Sequence, residues 1–405
     1  MKSKIPLLVL RYVVLFCFII GFTSQSAFSQ GRIVIKPMLE FSWQMDSNFH
    51  KAETDEKEVY TYNIKPGFEL EYATDKTIVS LDYFADVFWY DDQDTIPAGQ
   101  IQADDFDYVG HNALLRSYTQ VSDRVFIGVD NLFLISSDPA ASDAASNAID
   151  RYEYTLNRFS PRLVYNFGEK FGLGLKYTNL MMDYSDDAVG QGEDSTENRG
   201  TFNLYYYFTP KTSFDLDYQM WTRDYDKLTS DYDSQQVMVN VNHQLNYLTV
   251  SAGVGYHTRD FDKTVSSGDI EKSVWKLSLM GQNPPDAAGT PRSSAYLSLS
   301  NNFNDLGTGD EYFDAIRLDA KFTYLVMDKI NFILAGWFQN SDYETSARED
   351  DRWLVSLGAD YLINDFLSVG LEGGREERDS NAAGFDFDND YVMFNINFHP
   401  TLGAK

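Results

Sequence analysis

The sequence predicts an all-β fold, a transmembrane antiparallel up-and-down β-barrel of about 18 strands, with 16 as the alternative count. Three observations lead there: long segments alternate apolar and polar residues with period two, one hairpin recurs along the chain, and tight turns alternate with long acidic loops. In residues 212–245, Phe214, Leu216, Tyr218 and Met220 alternate with Asp215, Asp217 and Gln219. A loop holding Asp224, Asp226, Asp231 and Asp233 follows, and then Val237, Val239 and Val241 alternate with Met238, Asn240 and Asn242. An acid closes each outgoing strand at Asp46, Asp92, Asp138, Asp183, Asp224, Asp260, Asp305, Asp342 and Asp379, at spacings of 36 to 46 residues. Propeller blades share that period but need four short strands in each. Here each period holds two long amphipathic ones.

Taken in order, the first strand sets Leu39, Phe41 and Trp43 against Glu40, Ser42 and Gln44, and the second sets Phe68, Leu70 and Tyr72 against Glu69 and Glu71. After Thr74-Asp75-Lys76, Val79, Leu81, Tyr83, Ala85 and Val87 oppose Ser80, Asp82 and Asp86. Strands four and five meet at Ser122-Asp123-Arg124 and are the least regular pair, with Asn131 interrupting the apolar face. Residues 138–150 read as a solvated loop. Strands six and seven turn at Gly168-Glu169-Lys170, eight and nine at Phe208-Thr209-Pro210-Lys211, and sixteen and seventeen at Asn364-Asp365. Strand eleven sets Leu248, Val250, Ala252, Val254 and Tyr256 against Thr249, Ser251, Gly253, Gly255 and His257. Residues 282–293, with Pro284, Pro285 and Pro291, are an extended connection where a tight turn is expected. The last strand sets Val392, Phe394, Ile396 and Phe398 against Met393, Asn395 and Asn397.

Of 405 residues, 1–29 read as a signal peptide and 30–405 as the barrel. Lys2, Lys4 and Arg11 precede an apolar run over residues 12–22, and Ala27-Phe28-Ser29 has small residues at the first and third positions of a cleavage site. The run is too short for the ~20 residues of a spanning helix. Cys17, the only cysteine, lies inside it, so the mature chain has neither disulfide nor thiolate metal site. Without the leader, 30 Lys and Arg face 61 Asp and Glu, a net charge of about −31. Nucleic acid is excluded as a partner, because phosphate binding needs a basic face. Apolar residues at 43% and aromatic residues at 15% argue against disorder.

A soluble sandwich would bury the apolar faces, whereas a membrane barrel turns them to lipid around a polar lumen. Strands of about 9 to 11 residues suit a tilted crossing. Trp43, Trp89, Tyr90, Tyr184, Trp221, Tyr225, Phe261, Trp337 and Tyr343 collect near strand ends, where an aromatic girdle is expected. The polar face then supplies the lumen: Glu40, Glu69, Glu71, Asp82, Asp86, Asp215, Asp217, Asp319 and Glu372, with Arg162, Lys176, Arg317 and Lys321 as a basic minority. No catalytic residue and no cofactor site is read from the chain. His50, His111, His243, His257 and His399 are scattered without ligand spacing, so no metal site is expected. Asp386-Phe387-Asp388-Asn389-Asp390 lacks the glycine and terminal glutamate of a calcium loop.

The strand-end pattern Arg223-Asp224-Tyr225-Asp226, Arg259-Asp260-Phe261-Asp262 and Arg378-Asp379-Ser380-Asn381 resembles a β-barrel porin family found near exopolysaccharide loci of Gram-negative bacteria. The resemblance is most specific over residues 212–262 and 361–398. It implies an outer-membrane, non-enzymatic barrel that conducts solutes or serves polysaccharide export. The ending Phe394-Asn395-Ile396-Asn397-Phe398 is similar to the terminal-strand signal read by the barrel assembly machinery, although His399 and six further residues follow it. Outer-membrane lipid, lipopolysaccharide and polysaccharide-export components are the partners implied. The alternative is a non-conducting structural barrel whose acidic loops bind divalent cations, lipopolysaccharide or polysaccharide. Processing is directly measurable: Edman sequencing of membrane-extracted protein is expected to begin at Gln30, and a product retaining residues before Ala27 would contradict the cleavage site.

Overall fold

The computed structural model describes residues 31–96, 102–138, 151–226, 229–262, 269–284, 291–305, 312–344, 346–400 and 402–403. Residues 1–29, expected to be a signal peptide, lie outside them with Ala27-Phe28-Ser29, as do residues 139–150. Hydrogen-bonded strands follow one another without crossover: β1 (Arg32–Asp46), β2 (Val59–Ala73), β3 (Thr77–Asp92), β4 (Tyr108–Gln120), β5 (Val125–Ser136) and β6 (Tyr154–Asn166). Next come β7 (Phe171–Tyr184), β8 (Ser195–Thr209), β9 (Thr212–Tyr225), β10 (Tyr232–Gln244), β11 (Leu248–Phe261) and β12 (Ile270–Gln282). The circuit is completed by β13 (Ser293–Asp305), β14 (Tyr312–Val326), β15 (Ile330–Tyr343), β16 (Glu349–Asn364), β17 (Leu367–Ser380) and β18 (Phe387–Phe398). β18 pairs back onto β1, Phe398 opposite Leu39 and Tyr391 opposite Asp46, so the sheet closes on itself.

The barrel therefore has eighteen strands. A two-residue β19 (Leu402–Gly403) pairs with Ile35 and Val34 in the register that β18 already holds against β1. It continues that strand past Pro400, which has no amide to donate.

Most short turns carry Gly, Pro, Asn, Ser or Thr, whereas the β14–β15 turn holds Met327 and Asp328 at φ +51° and +56°. Thr74 Oγ1 accepts from the Thr77 amide, Ser122 Oγ from Arg124 and Val125, and Asn364 Oδ1 from Phe366. Gly168 turns with φ +81°, a backbone conformation that favours glycine. Across the extended 282–293 connection, the amide of Asn283 donates to the Ser293 carbonyl and Asn283 Oδ1 accepts from Ser293. At the opposite rim, the loop after β7, acidic in sequence, contains a short helix α1 (Asp187–Glu193).

Alternation assigns one face of every strand to the outside. Val254 is 67% exposed, Leu357 62% and Leu371 58%, and the outward residues around them are Leu, Val, Ile and Phe on neighbouring strands. So much contiguous exposed apolar surface is out of place in water and is satisfied by lipid. Aromatic side chains border the band. Towards the short turns lie Phe208, Phe332, Tyr324, Phe366 and Phe398, with Phe366 set edge-on to Phe398 at 5.7 Å; towards the long loops lie Trp43, Trp89 and Tyr256.

Only Trp43 and Trp89 of the nine expected girdle residues face outward. Tyr90, Tyr184, Trp221, Tyr225, Phe261, Trp337 and Tyr343 point into the barrel. The reason is strand length. Strands of 12 to 16 residues outrun the 9 to 11 needed to cross lipid, so their loop-side ends stand in water. There the outward positions are polar, as in Arg375, Glu377 and Asp379 of β17, and the rings turn inward. Asn131 is on the outward face of β5, where it donates to Asn157 Oδ1 and the Arg158 carbonyl. The apolar side at that height is internal: Leu134, Leu156, Met182 and Tyr154 pack together inside the barrel.

An outward arginine tests the lipid assignment. Val254→Arg is expected to cost about 2 to 4 kcal/mol if the position lies near the midplane, whereas the inward Ser251→Arg is expected to fold normally. Heat-modifiable gel mobility after refolding into lipid vesicles separates the two.

Candidate functional site: the barrel interior

Side chains of strands that are not neighbours meet on the concave face of a barrel, and such meetings identify the interior here. Trp221 of β9 lies 5.3 Å from His257 of β11, and Leu134 of β5 shares one cluster with Met182 of β7. The tip of β14 leans over that face: Asp314 and Tyr312, on the register face of Ile316, meet Lys272 of β12 at 3.3 Å and Arg259 of β11 at 5.7 Å. The thirteen expected lining residues share this inward face by register. Glu40, Glu69, Glu71, Asp82 and Asp86 stand on β1 to β3, Lys176 on β7, Asp215 and Asp217 on β9, Arg317, Asp319 and Lys321 on β14, and Glu372 on β17. Arg162 is opposite Lys176.

The structure brings some of these into pairs that sequence order hides. Lys36 holds Glu69 at 2.7 Å, Lys65 holds Asp86 at 3.0 Å and Arg116 holds Asp82 at 2.7 Å. Arg317 Nε donates to Asp319 Oδ1 at 3.1 Å. Asp215 instead accepts from Asn240 and Asn242, Asp217 from Asn203 and Gln219, and Glu372 from the Tyr391 hydroxyl, so these three carboxylates are held by neutral donors. The inner wall thus carries both signs, with its acids concentrated on β1 to β3 and its bases on β6 to β8 and β11 to β12.

Nearer the long-loop rim the lining changes to arginine on aromatic rings. Arg199 lies 4.2 Å from the Trp221 ring, Arg259 3.9 Å from Tyr232, Arg317 4.6 Å from Trp337, and Arg378 5.0 Å from Phe387. A guanidinium over a ring face within about 6 Å is attracted to the ring quadrupole, more strongly where water is excluded. The signal for this layer was present in the Arg-Asp-aromatic strand ends. With period two, Arg223 and Tyr225 share the inner face while Asp224 faces out, and Arg259 and Phe261 do so around Asp260.

The β1–β2 loop is pinned into the mouth. Asn48, fully buried, donates to the Ala52 and Asp388 carbonyls, and its own amide donates to Asn389 Oδ1. Beyond it, Lys51 reaches Glu376 at 2.8 Å, which also accepts from Arg352 at 2.7 Å. Burial pushes the Lys51 ammonium below its ordinary value, against the pull of Glu376. His50 is likewise lowered by burial. Arg151 adds a cation over Phe49 at 4.4 Å.

Residues 313–399, from β14 to just past β18, match the family model described as Putative beta-barrel porin 2. Over those strands the porin resemblance is borne out. The matched family is one of barrel porins, not of enzymes. No curated protein matches the chain. Among solved structures, Pseudomonas aeruginosa OpdK with vanillate is 12% identical with a TM-score of 0.47, covering 91% of this chain and 99% of its own. Pseudomonas aeruginosa OprD is 11% identical with a TM-score of 0.46, covering 94% and 99%, and Acinetobacter baumannii OccAB4 is 12% identical with a TM-score of 0.44, covering 92% and 99%. Among the described residues, no group of three or more His, Cys, Asp or Glu is placed to hold a metal.

Breaking one member of a buried charge cluster strands the others. Glu376→Gln is expected to destabilise the barrel mouth by about 3 to 5 kcal/mol, read as earlier urea unfolding and as faster protease cleavage in the β1–β2 loop, while Glu377→Gln on the outward face leaves both unchanged.

Proposed function

We propose that the chain is an outer-membrane channel for small hydrophilic solutes, with the long-loop rim outside the cell and the short turns in the periplasm. One observation carries this reading: eighteen strands closed into a barrel whose inward face is polar and charged. Barrels with this many strands have room for water along the axis, and a charged lining has no role against a packed apolar core. The porin match over residues 313–399 supports it. Glu40, Glu69, Glu71, Asp82, Asp86, Lys176, Asp215, Asp217, Arg317, Asp319, Lys321 and Glu372 line its path in this reading.

The acidic-lumen expectation narrows. Lys36, Lys65 and Arg116 offset Glu69, Asp86 and Asp82, which leaves Asp215, Asp217 and Glu372 as carboxylates with neutral partners. Carboxylates held by neutral donors concentrate cations beside them, so weak cation selectivity is the expectation here, set against the bases on β6 to β8 and β11 to β12. Export of exopolysaccharide, contact with lipopolysaccharide and delivery to the assembly machinery through the strand ending at Phe398 belong to the same proposal and rest on the family resemblance. A second reading has its own support: Lys51 and Arg151 fold loop residues into the mouth, which favours a barrel that conducts poorly.

Planar-bilayer recording decides between them. Discrete steps with a reversal potential favouring K⁺ across a KCl gradient are expected, with selectivity reduced in Asp215→Asn/Asp217→Asn and weakened as salt shortens the screening length from about 30 Å at 0.01 M to about 3 Å at 1 M. A silent barrel that conducts once the β1–β2 loop is deleted would favour the closed mouth, and an anion-selective parent would remove the acidic contribution.

A further inference from the structure

Above Lys276 the ladder between β12 and β13 stops: the paired residues run only from Lys276 opposite Ser300 to Gln282 opposite Ser294. Asn301 fills the gap with its side chain, accepting from the Trp275 amide and donating to the Ser273 carbonyl. Beyond it the paired tips of β13 and β14 lean into the barrel. Phe303 stacks on His257 of β11 at 4.6 Å, and Tyr312 lies beneath Arg259. Between this leaning tip and the inner wall of β8 to β12 is a cavity of about 450 Å³.

We propose that this cavity binds a hydroxylated organic anion of monosaccharide size, such as an acidic sugar. Its walls carry Arg199, Arg223, Arg259 and Lys276 against two acids, Glu197 and Asp217. Both acids are engaged: Glu197 accepts from Arg199 and Asp217 from Asn203 and Gln219. The site is therefore net positive, and guanidinium groups favour carboxylates. The size suits one small-molecule ligand.

The ring faces are already occupied. Trp221 has Arg199 over its ring at 4.2 Å and His257 tilted against it at 5.3 Å, His257 stacks on Phe303 at 4.6 Å, and both Trp221 and His257 are buried. An aromatic acid finds no free face to stack on. Trp221 Nε1 and both ring nitrogens of His257 are buried without a protein partner, and Gln236 and Ser298 add an amide and a hydroxyl to the wall. An apolar guest leaves such groups unpaired, which costs binding, whereas hydroxyls that reach them are rewarded. The rings lie under Phe303, at the tip that has left the ladder, so outward movement of that tip uncovers them.

As the solute met along the path proposed above, this anion rests on that reading, but its binding is measured without current. Titrating galacturonate into the full refolded barrel in detergent micelles, with calorimetry and tryptophan fluorescence as readouts, is expected to show saturable binding. Neutral galactose and benzoate are each expected to bind at least tenfold more weakly, as is galacturonate to Arg199→Gln and to Lys276→Gln, with heat-modifiable mobility certifying that each variant is folded. Galactose or benzoate binding as tightly as galacturonate overturns the proposal, as does unchanged affinity in both folded variants or no binding at all. A barrel silent in bilayers that still binds galacturonate separates failure of the channel from failure of this site.

Discussion

Everything in this molecule depends on the absence of a free sheet edge. Hydrocarbon offers no partner to a backbone amide or carbonyl, so a sheet in lipid must close or pay several kcal/mol for each group left open. Closure is supplied by eight consecutive β1–β18 pairs, from Leu39 opposite Phe398 to Asp46 opposite Tyr391. Once the ring is closed, alternation alone separates a lipid face from an interior, and a slip of one residue anywhere would turn a strand inside out. The continuation of β18 as β19 along Val34 and Ile35 extends the closure to where β1 begins.

Much of this was legible in the sequence. Asp215 and Asp217 lie opposite Leu216 and Tyr218 because a strand has period two and both faces were written clearly. Turn chemistry at Thr74, Ser122, Gly168 and Asn364 placed the hairpin ends, since few residues accept those geometries. What period two does not carry is height. Their place near strand ends predicts a girdle for Trp221 and Trp337, but the lipid stops before those ends and the rings face inward. Partners were also hidden. Lys36 and Glu69, 33 positions apart, are brought together by the register of the β1–β2 hairpin, and Lys51 and Glu376, 325 apart, only by closure of the sheet. The carboxylates could be counted from sequence, but not the bases that offset them.

The arginine and aromatic layer is a compromise between two demands on the mouth. The interior above the lipid must be filled well enough to hold loops such as that around Asn48, yet an apolar filling would block water. Arg378 over Phe387 and Arg352 beside Trp337 meet both demands, giving ring-sized packing that stays charged and hydrogen-bonding although both arginines are buried. The strand-end motif of Arg, Asp and an aromatic residue is the compact code for it. Its acid faces the outside water while its other two residues build the interior.

The substitution of one asparagine side chain for a run of backbone ladder at β12 and β13 makes that junction the thinnest seam in the wall. Consecutive strands are otherwise joined along most of their length, while this pair is joined over seven residue pairs on the turn side only, one fewer than the closing β1–β18 pair. Local opening follows the places with fewest backbone bonds. The wall should therefore breathe there first, with the amides of β12 above Lys276 exchanging with solvent sooner than those of β11, which keep a partner strand on both sides. The seam starts level with Val254, which pairs with Trp275, and it is tolerated there because Asn301 meets the Trp275 amide and the Ser273 carbonyl with its own side chain.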